Sequence, residues 1–326
     1  MRKFSEVVGH KRIINHLKNA IERKKPSHAY IFHGEDGCGK RLVADIFAAG
    51  LLCESGEDEP CGKCRSCLQF ETANHPDVIR VTHEKSIISV DDIRSQLVNE
   101  MQIKPYSSDY KIFIVDEAER MNEQAQNALL KTLEEPPEYG VIILLSNNIN
   151  SFLDTILSRA VALPFLPAGR DEIVKFLMSK KQVPDYQARL AAACSGGNPG
   201  LALTWVDSEE FSERREKSLD ILRKMGKLDS ETIFVTAKEW AKEKDEIQFF
   251  IRLLEVWVRD VLYVKSTGKY ERCMFREERS YIDTQATMLS YDRLGEILEG
   301  AVTLRGRLDS NVNTEISFES FLLLLK

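Results

Sequence analysis

The stretch that determines the fold class of this chain is GEDGCGKR, Gly34–Arg41. It follows the pattern G-x-x-x-x-G-K-[ST] of a phosphate-binding loop up to its last position, where an arginine replaces the serine or threonine. The apolar run HAYIF precedes the loop, and the helical pattern RLVADIFAAGLL follows it. A strand, a glycine-rich loop and a helix in this order are the setting in which a phosphate loop works.

A second strand pattern supplies the acids that accompany such a loop. KIFIVDE ends in Asp116, where a carboxylate would orient Mg²⁺, and Glu117, where a carboxylate would polarise an attacking water. The alternative is an ordinary strand that ends in two solvated acids. The candidate nucleotide-binding residues are Gly34, Gly37, Gly39, Lys40, Arg41, Asp116 and Glu117.

Arg41 stands where the hydroxyl group of an active loop binds the metal. A guanidinium has no lone pair for Mg²⁺, and its positive charge repels the cation. We therefore expect ATP hydrolysis to be severely impaired. Binding of ATP or ADP stays open at this stage, because a guanidinium can also pair with phosphate directly.

The bulk composition is that of a soluble globular protein, with 43% hydrophobic and 29% charged residues in a chain of 326. No apolar run approaches the roughly 20 residues of a membrane span, and the first residues lack the apolar core of a secretory signal. We therefore expect a cytoplasmic protein without a membrane partner. The net charge of −6 argues against a freestanding basic DNA-binding domain.

Strand and helix patterns alternate in the first half of the chain, and strand runs such as VIILLS are almost wholly apolar. This combination predicts an α/β fold with a parallel sheet covered by helices on both faces. From Pro167 onward helical periodicity dominates. We expect a P-loop-type domain over residues 1–165, a small helical lid over residues 166–208 and an all-α domain over residues 209–326.

Four of the seven cysteines cluster within residues 53–67, at Cys53, Cys61, Cys64 and Cys67. Four thiolates satisfy tetrahedral zinc and leave no coordination position open, which predicts a structural zinc site. The two-residue gaps are also compatible with an iron–sulfur cluster. A third interpretation is a set of reduced thiols with no metal.

Arg159 lies in LDTILSRA, after a short helical segment and before a strand. Most arginines in such a position are simply solvated. At an oligomer interface, however, a rigidly held arginine can reach the γ-phosphate of a nucleotide bound by the neighbouring subunit.

Several stretches, in this order, resemble the bacterial clamp-loader branch of the AAA+ proteins. They are SHAYIFHGEDGCGK, CESGEDEPCGKCRSC, KIFIVDEAERM, NALLKTLEEPP and TILSRA, and NVNTEISFESFLLLL is more loosely similar to the end of such a subunit. The resemblance implies an AAA+ P-loop domain with an inserted zinc module, a helical lid and a C-terminal helical collar that joins a ring of subunits.

The resemblance also separates motor subunits from a stator that does not hydrolyse ATP. Motors of the gamma/tau type have Thr or Ser at the position of Arg41 and an arginine near that of Gly200, and this chain lacks both. The pattern therefore resembles the stator. Ser158 and Arg159 match the family's SRC motif, whose arginine acts in trans on ATP bound by the adjacent gamma/tau subunit, although Ala160 replaces the cysteine.

The implied partners are the gamma/tau and delta subunits, with which the chain would load the beta sliding clamp on primed DNA as part of the DNA polymerase III holoenzyme. Two alternatives stay open. One is a gamma-type ATPase motor with an unusual loop. The other is a zinc-containing DNA-binding module, for which Lys63 and Arg65 are the only basic residues within the knuckle.

Overall fold

The computed structural model describes residues 2–83, 86–207, 209–308, 310 and 312–326. The predicted boundary at Ser208 and the first residue of the C-terminal stretch, Asn311, lie outside these ranges. The chain divides into two compact units. Unit 1 comprises the residues up to Glu172 together with Asn198–Gly200, and unit 2 comprises Ile173–Gly197 and Leu201–Lys326. The division into three domains stays a prediction.

Within the described residues of unit 1, five parallel strands form one sheet in the order β2-β3-β4-β1-β5. The strands are β1 Ala29–His33, β2 Val78–Val81, β3 Lys111–Val115, β4 Gly140–Ser146 and β5 Val161–Pro164. The prediction of an α/β fold with a parallel sheet is confirmed.

Strand β3 illustrates why the strands are apolar throughout. Ile112 and Ile114 point into the core on one face of the sheet, which also contains Phe47, whereas Phe113 and Val115 point into the core on the other face. Side chains alternate between the two faces of a strand, and helices cover both faces here. Every residue of β3 is consequently buried.

The helices of unit 1 connect the strands and cover the sheet. They are α1 Lys11–Glu22, α2 Lys40–Leu51, α3 Arg65–Glu71, α4 Val90–Ile93, α5 Asn99–Met101, α6 Glu123–Glu134 and α7 Asp154–Leu157. A π-helical segment, Arg94–Val98, joins α4 to α5. Short 3₁₀ turns lie at Phe4–Glu6, Ala118–Arg120 and Ile149–Ser151.

Unit 2 is helical in its described part, as the periodicity predicted. Its helices are α8 Arg170–Lys181, which begins in unit 1, α9 Asp185–Cys194, α10 Pro199–Asp207, α11 Glu209–Arg223, α12 Ser230–Trp240, α13 Lys244–Thr267, α14 Arg279–Met288, α15 Tyr291–Leu308 and α16 Thr314–Leu324. A 3₁₀ turn at Arg276–Glu278 precedes α14. Among the residues described, no helix combines the length and apolarity that a membrane span requires.

Helix α13 is the centre of unit 2, and it carries a buried acid. Asp260 is wholly buried, and its carboxylate accepts hydrogen bonds from the backbone N–H groups of Met274 (2.6 Å) and Phe275 (2.9 Å). The guanidinium of Arg259 donates a third bond at 2.7 Å. These bonds fix the turn between α13 and α14 onto the core, because a buried amide without a partner costs free energy.

We expect Asp260→Ala to lower the free energy of unfolding by about 2–4 kcal/mol, because two buried N–H groups and one guanidinium lose their acceptor. Calorimetric melting of the purified chain would measure the change. The matched control is Asp292→Ala, which removes an exposed acid from the first turn of α15 and should cost less than about 1 kcal/mol. Equal melting temperatures for the two variants would contradict the structural role of Asp260.

Candidate functional site

The candidate nucleotide site lies at the carboxyl edge of the sheet. Strands β1, β3 and β4 are neighbours and run parallel, so the residues that follow them reach the same edge. The phosphate loop follows β1, the acidic pair follows β3, and Asn147 follows β4. The backbone N–H of Gly34 donates to the carbonyl of Ser146 at 3.1 Å, which ties the start of the loop to the end of β4.

Lys40, the first residue of α2, is a buried cation inside the loop. Its Nζ donates to the carbonyl oxygens of Gly34 (2.6 Å) and Glu35 (2.9 Å) and to Oδ1 of Asn147 (2.7 Å). These three oxygens accept the hydrogen bonds of the ammonium group, which a bound phosphate would accept in an active loop. Lys40 thus lies at the carboxyl edge of the sheet, and its role in phosphate binding stays a prediction.

Arg41 and Asp116 form an ion pair across the site. Nη1 of Arg41 lies 3.3 Å from Oδ2 of Asp116, and both side chains stay partly exposed. The guanidinium thus contacts the carboxylate that would orient Mg²⁺ in an active loop. Magnesium does not fit this arrangement, because its hydroxyl ligand is replaced and its carboxylate already faces a positive charge.

Glu117 is also engaged with basic side chains. Its carboxylate lies 2.9 Å from Nη2 of Arg120 and 3.5 Å from Nε2 of His83. Glu117 has a left-handed backbone with φ of 50°, which turns the chain out of β3 into the 3₁₀ turn. Both predicted acids therefore lie beside the loop, and each has a cationic partner within unit 1.

Asn147 is a site residue that the sequence analysis did not identify. Besides accepting from Lys40, its side chain donates through Nδ2 to Oδ2 of Asp36 at 2.8 Å. It therefore links the end of β4 to two residues of the phosphate loop. The signal in the sequence is a polar Ser-Asn-Asn run directly after the buried strand VIILL.

The loop is also held by Asn198–Gly200, the second segment of unit 1. Asn198 donates through Nδ2 to the carbonyl of Asp36 at 2.5 Å, and the N–H of Gly200 donates to the carbonyl of Gly37 at 3.0 Å. A Cβ atom on Gly200 would lie only 2.7 Å from that same oxygen. The backbone of Gly200 therefore packs directly against the phosphate loop.

The environment of the loop shifts the pKa of two side chains near it. Burial lowers the pKa of His33, at the end of β1, and the charge of Lys40 lowers it further, so the neutral imidazole is favoured. Burial raises the pKa of the Cys38 thiol, with a smaller contribution from Glu35. Cys38 is therefore an uncharged thiol within the loop and not an activated nucleophile.

The four predicted metal ligands come together in unit 1. The sulfur atoms of Cys53, Cys61, Cys64 and Cys67 all lie within 4.8 Å of one another. The Sγ atoms of Cys53 and Cys64 are 4.0 Å apart, close to the roughly 3.8 Å expected for two thiolates on one tetrahedral zinc with 2.3 Å bonds. The donor set therefore fits a closed, four-thiolate site.

Backbone amides surround these sulfur atoms. The N–H groups of Lys63 and Cys64 each donate to Sγ of Cys61 at 3.4 Å, and these bonds lower the pKa of its thiol to about 6. Gly62 between the ligands has φ of 71°, a conformation that favours glycine. Burial raises the pKa of Cys67 instead. The pKa values of Cys61 and Cys67 are thus shifted in opposite directions. A bound cation would lower the pKa of all four thiols, because it stabilises each thiolate.

Arg159 lies on the surface of unit 1, just after α7. Its guanidinium contacts Oε1 of Glu134 at 3.0 Å and donates to the carbonyl of Thr155 at 2.9 Å and to Oγ of Ser158 at 3.2 Å. The side chain remains 35% exposed. These contacts hold the arginine at the end of α7 and leave part of it open to solvent.

We expect Gly200→Ala to lower the free energy of unfolding by about 1–3 kcal/mol, because the new Cβ collides with a backbone carbonyl that has no rotamer by which to move. Urea unfolding followed by circular dichroism would measure it. Gly295→Ala is the matched control, since its Cβ within α15 meets nothing within 4 Å. It should raise the free energy of unfolding by about 0.5–1 kcal/mol. The changes in the free energy of unfolding should therefore have opposite signs in the two variants.

Two family models match the chain. The model described as DNA polymerase III, delta subunit, matches residues 9–168. The model described as DNA polymerase III, delta subunit, C terminal, matches residues 209–326. The two matches fall mainly on unit 1 and unit 2 respectively.

Three individual proteins are also similar to the chain. DNA polymerase III subunit delta' of Bacillus subtilis is 29% identical over 318 residues, which is 97% of this chain and 95% of that protein. DNA polymerase III subunit tau of B. subtilis is 35% identical over 212 residues, but the chain spans only 37% of its length. A solved gamma subunit-related protein of Thermotoga maritima is 22% identical with a TM-score of 0.40, covering 95% of this chain and 97% of that one. Because the two family models and the delta' relative together extend over both units, the chain belongs to the delta prime family of bacterial DNA polymerase III subunits.

Proposed function

We propose that this chain is the architectural subunit of a bacterial clamp loader and does not itself hydrolyse ATP. The observation that carries the proposal is the ion pair between Arg41 and Asp116 at 3.3 Å. It sets a permanent cation against the carboxylate that an active loop needs for its metal. The similarity to B. subtilis delta' over nearly the whole chain supports the same assignment.

The remaining catalytic groups support this interpretation. Glu117, the acid predicted to polarise a water molecule, contacts Arg120 at 2.9 Å in a partly exposed pair, so the loss of the metal site is the main obstacle to hydrolysis. Gly200 provides no side chain to contact a phosphate. A nucleotide at this loop would be held by Lys40 and Arg41 and by backbone N–H groups at the start of α2, without the metal ion that hydrolysis requires.

In this proposal Arg159 serves a neighbouring subunit. A guanidinium that reaches a γ-phosphate from an adjacent chain stabilises the charge of the transition state. Glu134, Thr155 and Ser158 restrain Arg159 at the end of α7, and about a third of its side chain remains exposed. The pair with Glu134 is itself a partly exposed ion pair, worth no more than about 1 kcal/mol, so a phosphate can replace it.

The partners follow from the family. The chain would assemble with gamma/tau and delta subunits in the cytoplasm, and the assembly would load the beta sliding clamp on primed DNA. Residues 209–326 would form the collar. Exposed apolar side chains on α12, α15 and α16, among them Phe234, Val302 and Ile316, support a role in subunit contacts.

The cysteine cluster would hold one structural zinc ion. Four thiolates and no histidine or carboxylate favour zinc in a closed site, and the amide N–H groups that donate to the sulfur atoms support it. Such an ion would fix the segment between α2 and α3. A closed site supplies stability and not catalysis.

We expect Arg159→Ala to reduce DNA-stimulated ATP hydrolysis by the reconstituted clamp loader by about 10³-fold or more at the neighbouring site, as for other arginine fingers. Hydrolysis rates and assembly, the latter by size-exclusion chromatography, would be measured together. The matched control is Arg94→Ala, which removes an exposed arginine elsewhere in unit 1 and should leave the rate unchanged.

If the clamp loader with Arg159→Ala assembles and hydrolyses ATP normally, Arg159 has no role at the nucleotide site of the neighbouring subunit. The isolated chain is the second control, and we expect no ATP hydrolysis from it. Robust hydrolysis by the isolated chain would instead identify a gamma-type motor and would show that Arg41 does not disable the loop.

We expect about one zinc ion per purified chain by metal analysis. Cys64→Ser should lose the metal and lower the melting temperature, because one of the four ligands is removed and the buried Cys67 thiol loses its cation. Cys273→Ala, which changes a buried cysteine of unit 2, should retain the full zinc content. Iron and labile sulfide in the wild-type protein would favour an iron–sulfur cluster, and the absence of any metal would favour reduced thiols.

A further inference from the structure

The ion pair of Arg41 and Asp116 has a second consequence, which concerns how the loop binds its ligand. Both residues line a cavity of about 510 Å³ that also contains Asp36, Lys40 and Glu117. Their formal charges are two positive and three negative, a sum of −1. With serine or threonine at position 41 the sum would be −2, equal and opposite to the charge of one divalent cation.

Arg41 therefore supplies from the chain part of the charge that an active loop obtains from Mg²⁺. We propose that this loop binds the polyphosphate of a nucleoside di- or triphosphate without a divalent cation, and that the guanidinium of Arg41 occupies the role of the metal. The inference rests on the proposed function only in taking the loop as the nucleotide site. It adds that the bound nucleotide carries no metal.

The chemistry of the guanidinium supports this role. A magnesium ion in such a site bridges phosphate oxygens to the acidic strand. The guanidinium of Arg41 has five N–H donors in a planar fork, and its contact with Asp116 is made by Nη1. Its other donors suit the oxygens of a phosphate. Arg41 can thus connect a phosphate to Asp116 as the metal would.

Exposure makes the site accessible to a ligand. The side chains of Arg41 and Asp116 are 68% and 47% exposed, so their pairing is weak in water and a phosphate can join it. Lys40 provides a second cation, held by Asn147 and by two loop carbonyls.

The test is equilibrium binding of fluorescent ATP and ADP analogues to the purified full-length chain, in excess EDTA and in excess MgCl₂. We expect the wild-type Kd to be the same in the two conditions within about twofold. Arg41→Thr should bind at least about tenfold more weakly in EDTA, because it loses a charge-assisted contact, and should regain affinity with MgCl₂, because its hydroxyl is a metal ligand.

Two further variants define the site. Arg41→Lys keeps the charge but loses the planar fork, and we expect affinity between those of wild type and Arg41→Thr, still independent of MgCl₂. Lys40→Ala should abolish binding in both conditions. Zinc content and circular dichroism would show that each variant is folded.

Tighter binding of wild type by tenfold or more in MgCl₂ would overturn the inference, and so would the absence of any saturable binding by the folded wild-type chain. Either result leaves the proposed function intact, because the effect of Arg159 on hydrolysis is measured in the assembly. Conversely, a normal rate for Arg159→Ala would leave metal-independent binding by the isolated chain unaffected.

Discussion

The parallel pairing of β1 with β4, and of β4 with β3, is the constraint on which the candidate site depends. Because parallel strands end at one edge of a sheet, this pairing brings together residues that are distant in sequence. The phosphate loop, the acidic pair and Asn147 each follow one of these strands. The register of this pairing sets which polar side chains meet at that edge.

The chemistry at that edge depends on one position, where Arg41 replaces the serine or threonine of the phosphate-loop pattern. The loop carries the glycines and Lys40 of a phosphate-binding pattern, and both acids follow β3 at the same edge of the sheet. Arg41 changes the chemistry of this edge, because its guanidinium contacts the Asp116 carboxylate that would face a metal ion in an active loop. The same residue underlies both the proposed loss of hydrolysis and the proposed binding of phosphate without Mg²⁺.

The two remaining functional elements differ in how they are built. The cysteine cluster is local, since its four ligands lie within fifteen residues and the turn at Gly62 places them, so their spacing alone predicted that they meet. Arg159 depends on packing, because Glu134 of α6 holds it at the end of α7. Unit 2 has its own core around α13, which the buried Asp260 ties to the turn that follows.

Much of unit 1 was predictable because its signals are local. Apolar runs predicted the strands, glycine spacing predicted the loop, and cysteine spacing predicted that the four thiols come together. The pairing of Arg41 with Asp116, the contact of Asn147 with Lys40 and the packing of Gly200 against Gly37 were not predictable. The sequence by itself determined which chemical groups the protein carries and which fold class holds them. Tertiary structure decided which groups neutralise one another, because those contacts depend on strand order, register and side-chain direction, which no local pattern encodes.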